Sequence, residues 1–170
     1  VELTPIQRWF SLLPIKNRDH WNQGIVLRLG DNTDLKLVNR ALEQLCFHHD
    51  QLRARFEFRD GSIDQKIDSV NAPVVISGGN RASEASSELA IQQAMQQSHE
   101  SLDPESGPIF AATHLSDRDT KQSWLLIVAH HLVVDGVSWR ILIEDLSSAY
   151  DQQKEGQAIK LPNKTVSYQD

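Results

Sequence analysis

Two adjacent histidines, His130 and His131, follow a long apolar run and stand shortly before Asp135. The run begins at residue 124, and its unbroken apolar character predicts a strand that is buried on both faces. Titratable side chains at the end of such a strand need partners, because burying an unpaired polar group is costly. Neighbouring strand side chains point to opposite faces, so we expect one histidine to face a site and the other to be held inside. Histidine suits general acid–base chemistry because it exchanges protons near neutral pH.

The residues after the two histidines allow several chemical interpretations. Asp135 has three possible roles: a catalytic carboxylate, a metal ligand or a structural anion. Gly136 fits a turn where a side chain would obstruct the backbone or a substrate channel. Ser138 lacks the Gly-x-Ser-x-Gly surroundings of a serine nucleophile, which favours a helix N-cap. We expect no metal site here, because adjacent strand histidines diverge and the i, i+4 spacing of zinc proteases is absent.

Composition limits the classes of protein to which this chain can belong. Its 170 residues are 39% hydrophobic and 24% charged, which is typical of one globular unit with a sizeable core. The net charge of -6 argues against nucleic acid as a partner. No apolar run approaches the length of a membrane span, and no signal stretch opens the chain. The single Cys46 suits a reducing compartment, so we expect a cytoplasmic protein.

The hydrophobic pattern predicts an α+β fold, with a mixed sheet and helices packed against it. An Asp-Gly pair at residues 60–61 predicts a tight hairpin. Thr4 and Pro5 are typical of a helix start. Helices are predicted over residues 4–13, from about 35 to 49, over 83–101 and over 138–153. Strands are predicted over residues 24–29, 53–58, 63–67, 73–76, 108–115 and 124–129.

The segment His130-His131-x-x-x-Asp135-Gly136 resembles the His-His-x-x-x-Asp-Gly motif of the condensation-domain superfamily of nonribosomal peptide synthetases. Peptide-bond-forming condensation domains usually continue Gly-Trp-Ser, whereas this chain has Gly136-Val137-Ser138-Trp139, which resembles the epimerization branch. Four further segments resemble the superfamily or that branch, in family order, and the second of them contains the pair Asn22-Gln23. They are residues 3–10, 20–23, 48–56 (where His48 replaces the usual first Arg) and 102–108.

The resemblance implies a chloramphenicol-acetyltransferase-like fold and L-to-D epimerization at the Cα of an aminoacyl or peptidyl thioester. The substrate would hang on the phosphopantetheine arm of a peptidyl carrier protein, with no cofactor bound directly. Residues 1–170 would form the N-terminal subdomain, and an absent C-terminal subdomain would supply a Glu across the tunnel. The alternatives are a peptide-bond-forming condensation domain, a carrier-docking half-domain without activity, and a CoA-dependent acyltransferase of the same fold.

The resemblance also implies roles for the histidines and their neighbours. His131 would transfer the proton, and His130 would be a structural hydrogen-bonding residue. Asp135 would pair with Arg53 and fix the loop that carries the histidine. From spacing alone, Arg53 fits a solvated strand face equally well.

Two further pairs complete the predicted site. Ser138 and Trp139 would support it from the helix that follows the motif. Asn22 and Gln23 would donate hydrogen bonds to the thioester carbonyl, with a polar loop before the first strand as the alternative interpretation.

Overall fold

The computed structural model describes residues 2–59, 62–69, 76–80, 87–117 and 120–164, with residues 76–80 described by their backbone. Short 3-10 helices cover Arg18–His20 and Asp50–Arg53. The helices are α1 Pro5–Ser11, α2 Leu35–His48, α3 Ser87–Glu100 and α4 Gly136–Lys154. The strands are β1 Asn22–Leu29, β2 Ala54–Arg59, β3 Ser62–Ile67, β4 Ile76–Asn80, β5 Phe110–Ser116 and β6 Ser123–His130. No helix in these described ranges combines the length and the apolar character needed to cross a bilayer.

Within the described residues, the main sheet has four strands in the order β1-β6-β5-β4. The β1–β6 and β6–β5 pairs are antiparallel, and β4 runs parallel to β5. Strands β2 and β3 form a separate antiparallel hairpin. The predicted α+β fold with a mixed sheet is therefore confirmed. The predicted Asp60-Gly61 turn lies outside the described residues.

Strand β6 lies between two neighbours and is buried on both faces, as its unbroken apolar sequence predicts. One face packs against α2 and α4, and the other packs against α3. The α2/α4 face carries Leu125, Ile127 and Ala129, and the α3 side carries Trp124, Leu126 and Val128. Helices on both faces thus anchor the strand that ends in the two histidines.

Strand β1 begins two residues earlier than the apolar pattern predicts. Asn22 pairs with His130 and Gln23 pairs with Ala129, so the antiparallel ladder extends to the end of β6. The alternative interpretation of these residues as a polar loop is therefore wrong, because both belong to the strand. Because side chains alternate, Asn22 and Gln23 point to opposite faces of the sheet.

A second apolar cluster joins α1 to the hairpin. Phe10, Phe56 and Ile63 are buried in it, with Leu132 from the segment after β6. Thr4 and Pro5 begin α1 as predicted, and the Thr4 N–H donates to Oε1 of Gln7 at 2.8 Å. This cluster holds Leu132, in the segment beyond β6, against α1 and the hairpin.

Several predicted boundaries differ from the structure. Helix α1 ends at Ser11 and not at residue 13. Helix α2, in contrast, begins at Leu35 as predicted, and the Asp34 carboxylate caps it by accepting from the Lys36 N–H at 2.8 Å. Strand β4 begins at Ile76, the last residue of the predicted strand, and the rest of that prediction lies outside the described residues. Helix α3 begins at Ser87 within its predicted range.

Candidate active site

The backbone of the histidine pair is held from both neighbouring strands. The His130 N–H donates to the carbonyl of Ile109, just before β5, at 3.0 Å. The His131 N–H donates to the carbonyl of Trp21, just before β1, at 2.8 Å. Successive N–H groups thus point to opposite sides of β6, and both histidines are fixed at the sheet end.

The His130 ring is enclosed, with 0% of the residue exposed. Its Nδ1 accepts from the Leu132 N–H at 3.2 Å, so Nε2 carries the proton and donates to the Arg18 carbonyl at 2.7 Å. Phe10 and Trp21 meet the ring at their edges, 5.8 and 6.3 Å between centroids. Burial lowers the pKa of His130, so the ring is neutral in this site. Both ring nitrogens are hydrogen-bonded inside the fold, and the ring is enclosed, so a substrate cannot reach it.

The His131 ring is half-buried and lies in a directional chain of hydrogen bonds. The Trp139 indole N–H donates to Oε1 of Gln23 at 2.9 Å, and an indole can only donate. The Gln23 amide nitrogen therefore faces Nε2 of His131, at 3.1 Å, and donates to it. The proton of His131 is then on Nδ1, which donates to the Val134 carbonyl at 2.6 Å. This chain of hydrogen bonds therefore places the lone pair of the His131 imidazole on Nε2.

The elements explain why these three side chains meet. Gln23 lies on the same β1 face as Ile25, Leu27 and Leu29, which pack against the α2/α4 core. Trp139, 8% exposed, belongs to that core and reaches Gln23 from the first turn of α4. His131 follows β6 directly. The site therefore forms where β1, β6 and α4 come together.

Asn22 does not join this chain. Its amide nitrogen donates to the Asp19 carbonyl at 2.7 Å and to the His99 carbonyl of α3 at 3.1 Å. Among the described residues its Oδ1 is buried without a hydrogen-bond partner. Of the predicted Asn22-Gln23 pair, the structure brings only Gln23 to His131, because the two side chains lie on opposite faces of β1.

The predicted ion pair between Arg53 and Asp135 is wrong. The Asp135 carboxylate caps α4, accepting at 2.7 Å from both the backbone N–H and the hydroxyl of Ser138. These two hydrogen bonds hold the pKa of Asp135 below its usual value. The N-cap is therefore Asp135, and Ser138 is the third helical residue, which corrects the prediction of Ser138 as the cap. Spacing alone left a carboxylate three residues before a serine open to several roles.

Arg53 is buried and has other partners. Its guanidinium donates to the Cys46 carbonyl at 2.9 Å, to the Asp68 carbonyl at 2.5 Å and to the Asp50 carboxylate at 2.6 Å. These contacts join the end of α2 to the hairpin, away from the chain through His131. The alternative of a solvated strand face is also wrong, because only 7% of Arg53 is exposed.

Gly136 is the first residue of α4 and is exposed. A Cβ built there meets no atom within 4 Å. The predicted clash with the backbone is therefore absent from this part of the fold, and the predicted clash with a substrate channel stays a prediction.

Trp21 had no predicted role, yet it contacts the site directly. Its ring centroid lies 4.5 Å from that of His131, and the ring also stacks on Phe10 at 4.6 Å between centroids, with an interplanar angle of 8°. Trp21 thus positions His131 by its ring and by its backbone carbonyl. The sequence signal for this role was the position of Trp21 directly before Asn22-Gln23. In an antiparallel pair, the residue before one strand lies beside the residue after its partner strand.

Comparison with known proteins identifies the family of this arrangement. The family model described as Condensation domain matches residues 1–170. The chain belongs to the condensation-domain family. Tyrocidine synthase 2 of Brevibacillus parabrevis is 40% identical over 175 aligned residues, which cover 100% of this chain and 5% of that protein.

Solved condensation-family structures share the fold. The epimerization domain from the third module of tyrocidine synthetase B superposes with a TM-score of 0.90 at 40% identity, covering 99% of this chain and 38% of that one. The starter condensation domain of the rhizomide synthetase superposes with a TM-score of 0.77 at 18% identity, over 95% of this chain and 40% of that one. The chain has the chloramphenicol-acetyltransferase-like fold of these domains, and it spans less than half the length of either structure.

Proposed function

We propose that this condensation-family chain forms the histidine-bearing part of a site that epimerizes an aminoacyl or peptidyl thioester at Cα. One observation carries the proposal: the hydrogen-bond chain from Trp139 through Gln23 to His131. Gln23 and Trp139 come from the two segments that resemble the epimerization branch, and they meet on the proposed catalytic histidine. The 40% identity to a tyrocidine synthetase epimerization domain supports the same assignment.

His131 Nε2 is the proposed proton acceptor. It takes the proton from Cα, and the C–H electron pair is delocalised onto the thioester carbonyl oxygen as an enolate. The new imidazolium keeps its Nδ1–H bond to the Val134 carbonyl, which stabilises the positive charge. Proton delivery to the opposite face of Cα gives the inverted product and restores the thioester.

The Gln23 amide has to move away from Nε2 of His131 when substrate binds. Its amide nitrogen lies 3.1 Å from Nε2, in the space that a Cα proton must enter. Once displaced, the same amide N–H is able to donate to the thioester oxygen, where negative charge develops. Trp139 holds the other end of the amide, so the displacement is a rotation about a fixed oxygen.

The remaining partners belong to the same proposal. A peptidyl carrier protein presents the substrate on its phosphopantetheine arm, and no cofactor is bound directly. A C-terminal subdomain supplies the second proton-transfer group and the opposite wall. The chain spans 38% of the tyrocidine epimerization-domain structure, which supports a site completed by further residues. The free, buried Cys46 thiol suits a reducing compartment, and a cytoplasmic location is part of the same proposal.

The decisive experiment uses the full polypeptide with its carrier protein loaded with an L-aminoacyl group, in deuterated water. We expect deuterium at Cα and accumulation of D product. His131→Ala should slow both by about 100-fold or more, the usual contribution of a general acid–base group. The control is His20→Ala, which changes an exposed histidine outside the hydrogen-bond chain. Wild-type rates in His131→Ala would overturn the role of His131. Amide formation with a second aminoacyl carrier, without label at Cα, would establish condensation instead.

A further inference from the structure

A second histidine pair lies at the end of α2, and its geometry differs from that of the pair after β6. His48 is the last residue of the helix, and His49 is its C-cap with an extended backbone, φ -94° and ψ 97°. The chain leaves the helix between them, which turns the two side chains toward each other. The ring centroids are 4.9 Å apart, with the planes at 83°.

A carboxylate from a different element completes the group. Asp145, in the middle of α4, places Oδ2 2.7 Å from Nε2 of His49. Asp145 is 6% exposed, whereas both histidines are half-buried. The ligand atoms of His48, His49 and Asp145 all lie within 4.8 Å of one another. Within the described ranges, this is the one group of three potential ligands with that property.

We propose that His48, His49 and Asp145 bind a divalent transition-metal ion of the Zn²⁺ type. Two imidazoles and one carboxylate are the ligand set of known three-residue zinc sites, with water in the fourth position. Zn–N and Zn–O bonds of about 2.0–2.2 Å separate tetrahedral ligand atoms by about 3.3–3.5 Å. The His49–Asp145 pair therefore opens slightly, while His48 closes by a side-chain rotation.

Binding of the ion replaces the proton on Nε2 of His49. In the metal-free state a proton lies between Nε2 of His49 and the Asp145 carboxylate. The ion takes its place on Nε2, and the displaced proton moves by way of solvent to Nδ1, so that the imidazole ligand stays neutral.

The charges around the site permit a cation. The Lys164 ammonium lies 3.0 Å from both oxygens of Asp50, and the Arg53 guanidinium also binds that carboxylate. Lys164 is thus already paired, which reduces its repulsion of a bound ion. The site shares no residue with the hydrogen-bond chain through His131. A bound ion would tie the end of α2 to the middle of α4.

His48 distinguishes this chain from the usual sequence of the superfamily segment. The superfamily segment that residues 48–56 resemble usually begins with Arg, which has no lone pair to offer a metal. The His48→Arg variant therefore removes one ligand while it supplies a residue type that this segment accommodates. Asp145→Asn removes the anionic ligand. His20→Arg is the matched control, since His20 is an exposed histidine outside the group.

The test compares these variants in the full polypeptide after dialysis against equimolar Zn²⁺ with excess Mg²⁺. Metal analysis should find one more equivalent of Zn²⁺ in wild type and in His20→Arg than in His48→Arg or Asp145→Asn. Loading with Co²⁺ should give the visible bands of tetrahedral coordination, and His48→Arg should lose them. Circular dichroism shows whether each variant is folded. Equal Zn²⁺ content and identical Co²⁺ spectra in wild type and folded His48→Arg would overturn the proposal.

Discussion

At the scale of single residues, the Trp139 indole determines which end of the Gln23 amide faces His131. Trp139→Phe keeps an aromatic ring in the core and removes the N–H that binds Gln23 Oε1. The amide can then turn its oxygen toward His131. A net hydrogen bond contributes about 0.5–1.5 kcal/mol, so we expect D-product formation about 2- to 10-fold slower.

The control for Trp139→Phe is Trp124→Phe, which shortens a buried tryptophan on the α3 side of β6. Both variants lose similar packing, but only one of them touches the hydrogen-bond chain. The measurement is the initial rate of D-product formation on a loaded carrier protein. Equal rates in the two variants would contradict a positioning role for the indole.

Residue-level prediction succeeded where strand alternation applies. It correctly separated His130 from His131, since one ring is enclosed and the other is half-buried. It placed Gln23 correctly beside His131 but failed for Asn22, and it missed that both residues belong to β1, because the apolar pattern begins only at residue 24. The two polar residues belong to β1 because they pair with β6, and pairing between distant segments is not encoded in local periodicity.

At the scale of elements, the start of α4 depends on the Asp135 cap. Asp135→Ala removes the acceptor of both Ser138 bonds, and loss of an N-cap typically costs about 1 kcal/mol. Breaking a buried ion pair, such as the predicted contact with Arg53, would instead cost about 3–5 kcal/mol. Thermal unfolding at neutral pH measures the difference, and Asp135→Asn, which keeps a capping oxygen, is the control.

The dependence of stability on acidic pH distinguishes the contribution of the Asp135 charge from other effects of the substitution. The pKa of Asp135 is held below its ordinary value of 3.8 by the Ser138 hydrogen bonds. The carboxylate therefore stabilises the fold above that ordinary value, and its contribution disappears as the pH falls through the lower folded value. The stability deficit of Asp135→Ala should shrink over that acid range. A deficit that is constant with pH would contradict the charged cap.

Arg53 connects three elements and should be a larger determinant of stability. Arg53→Ala leaves the Cys46 and Asp68 carbonyls without their donor inside the fold. Removal of one partner from a buried charged network costs about 3–5 kcal/mol. Arg59→Ala is the control, because Arg59 is 67% exposed in its ion pairs and should cost less than about 1 kcal/mol. Equal unfolding midpoints in the two variants would contradict this assignment.

The elements themselves were largely predictable, and their arrangement was not. Most helices and strands of the described part follow the hydrophobic periods of the sequence. The order β1-β6-β5-β4 and the separation of the β2-β3 hairpin depend on contacts between distant segments. The role of Arg53 was missed for the same reason, since its acceptors lie at the end of α2 and after β3.

At the scale of the whole molecule, we predict that residues 1–170 alone do not epimerize a substrate. Inversion needs proton transfer on both faces of Cα, and the described site offers His131 on one side. Without an opposite wall, the half-buried ring stays open to water and the substrate is not positioned. Deuterium entry at Cα should equal that of the loaded carrier protein alone. Label clearly above that background would contradict a site shared between two subdomains.

Helix α4 begins at Gly136, so the order of the next three residues determines the direction in which each side chain points from the helix. Each helical residue advances by about 100°, so the second and fourth positions point about 200° apart. Here the second position is Val137, 69% exposed, and the fourth is Trp139, 8% exposed. In the Gly-Trp-Ser order the indole would occupy the second position and point to the opposite side. Exchanging Val137 and Trp139 would leave the composition unchanged, yet it would rotate the indole N–H that orients Gln23 out of the site.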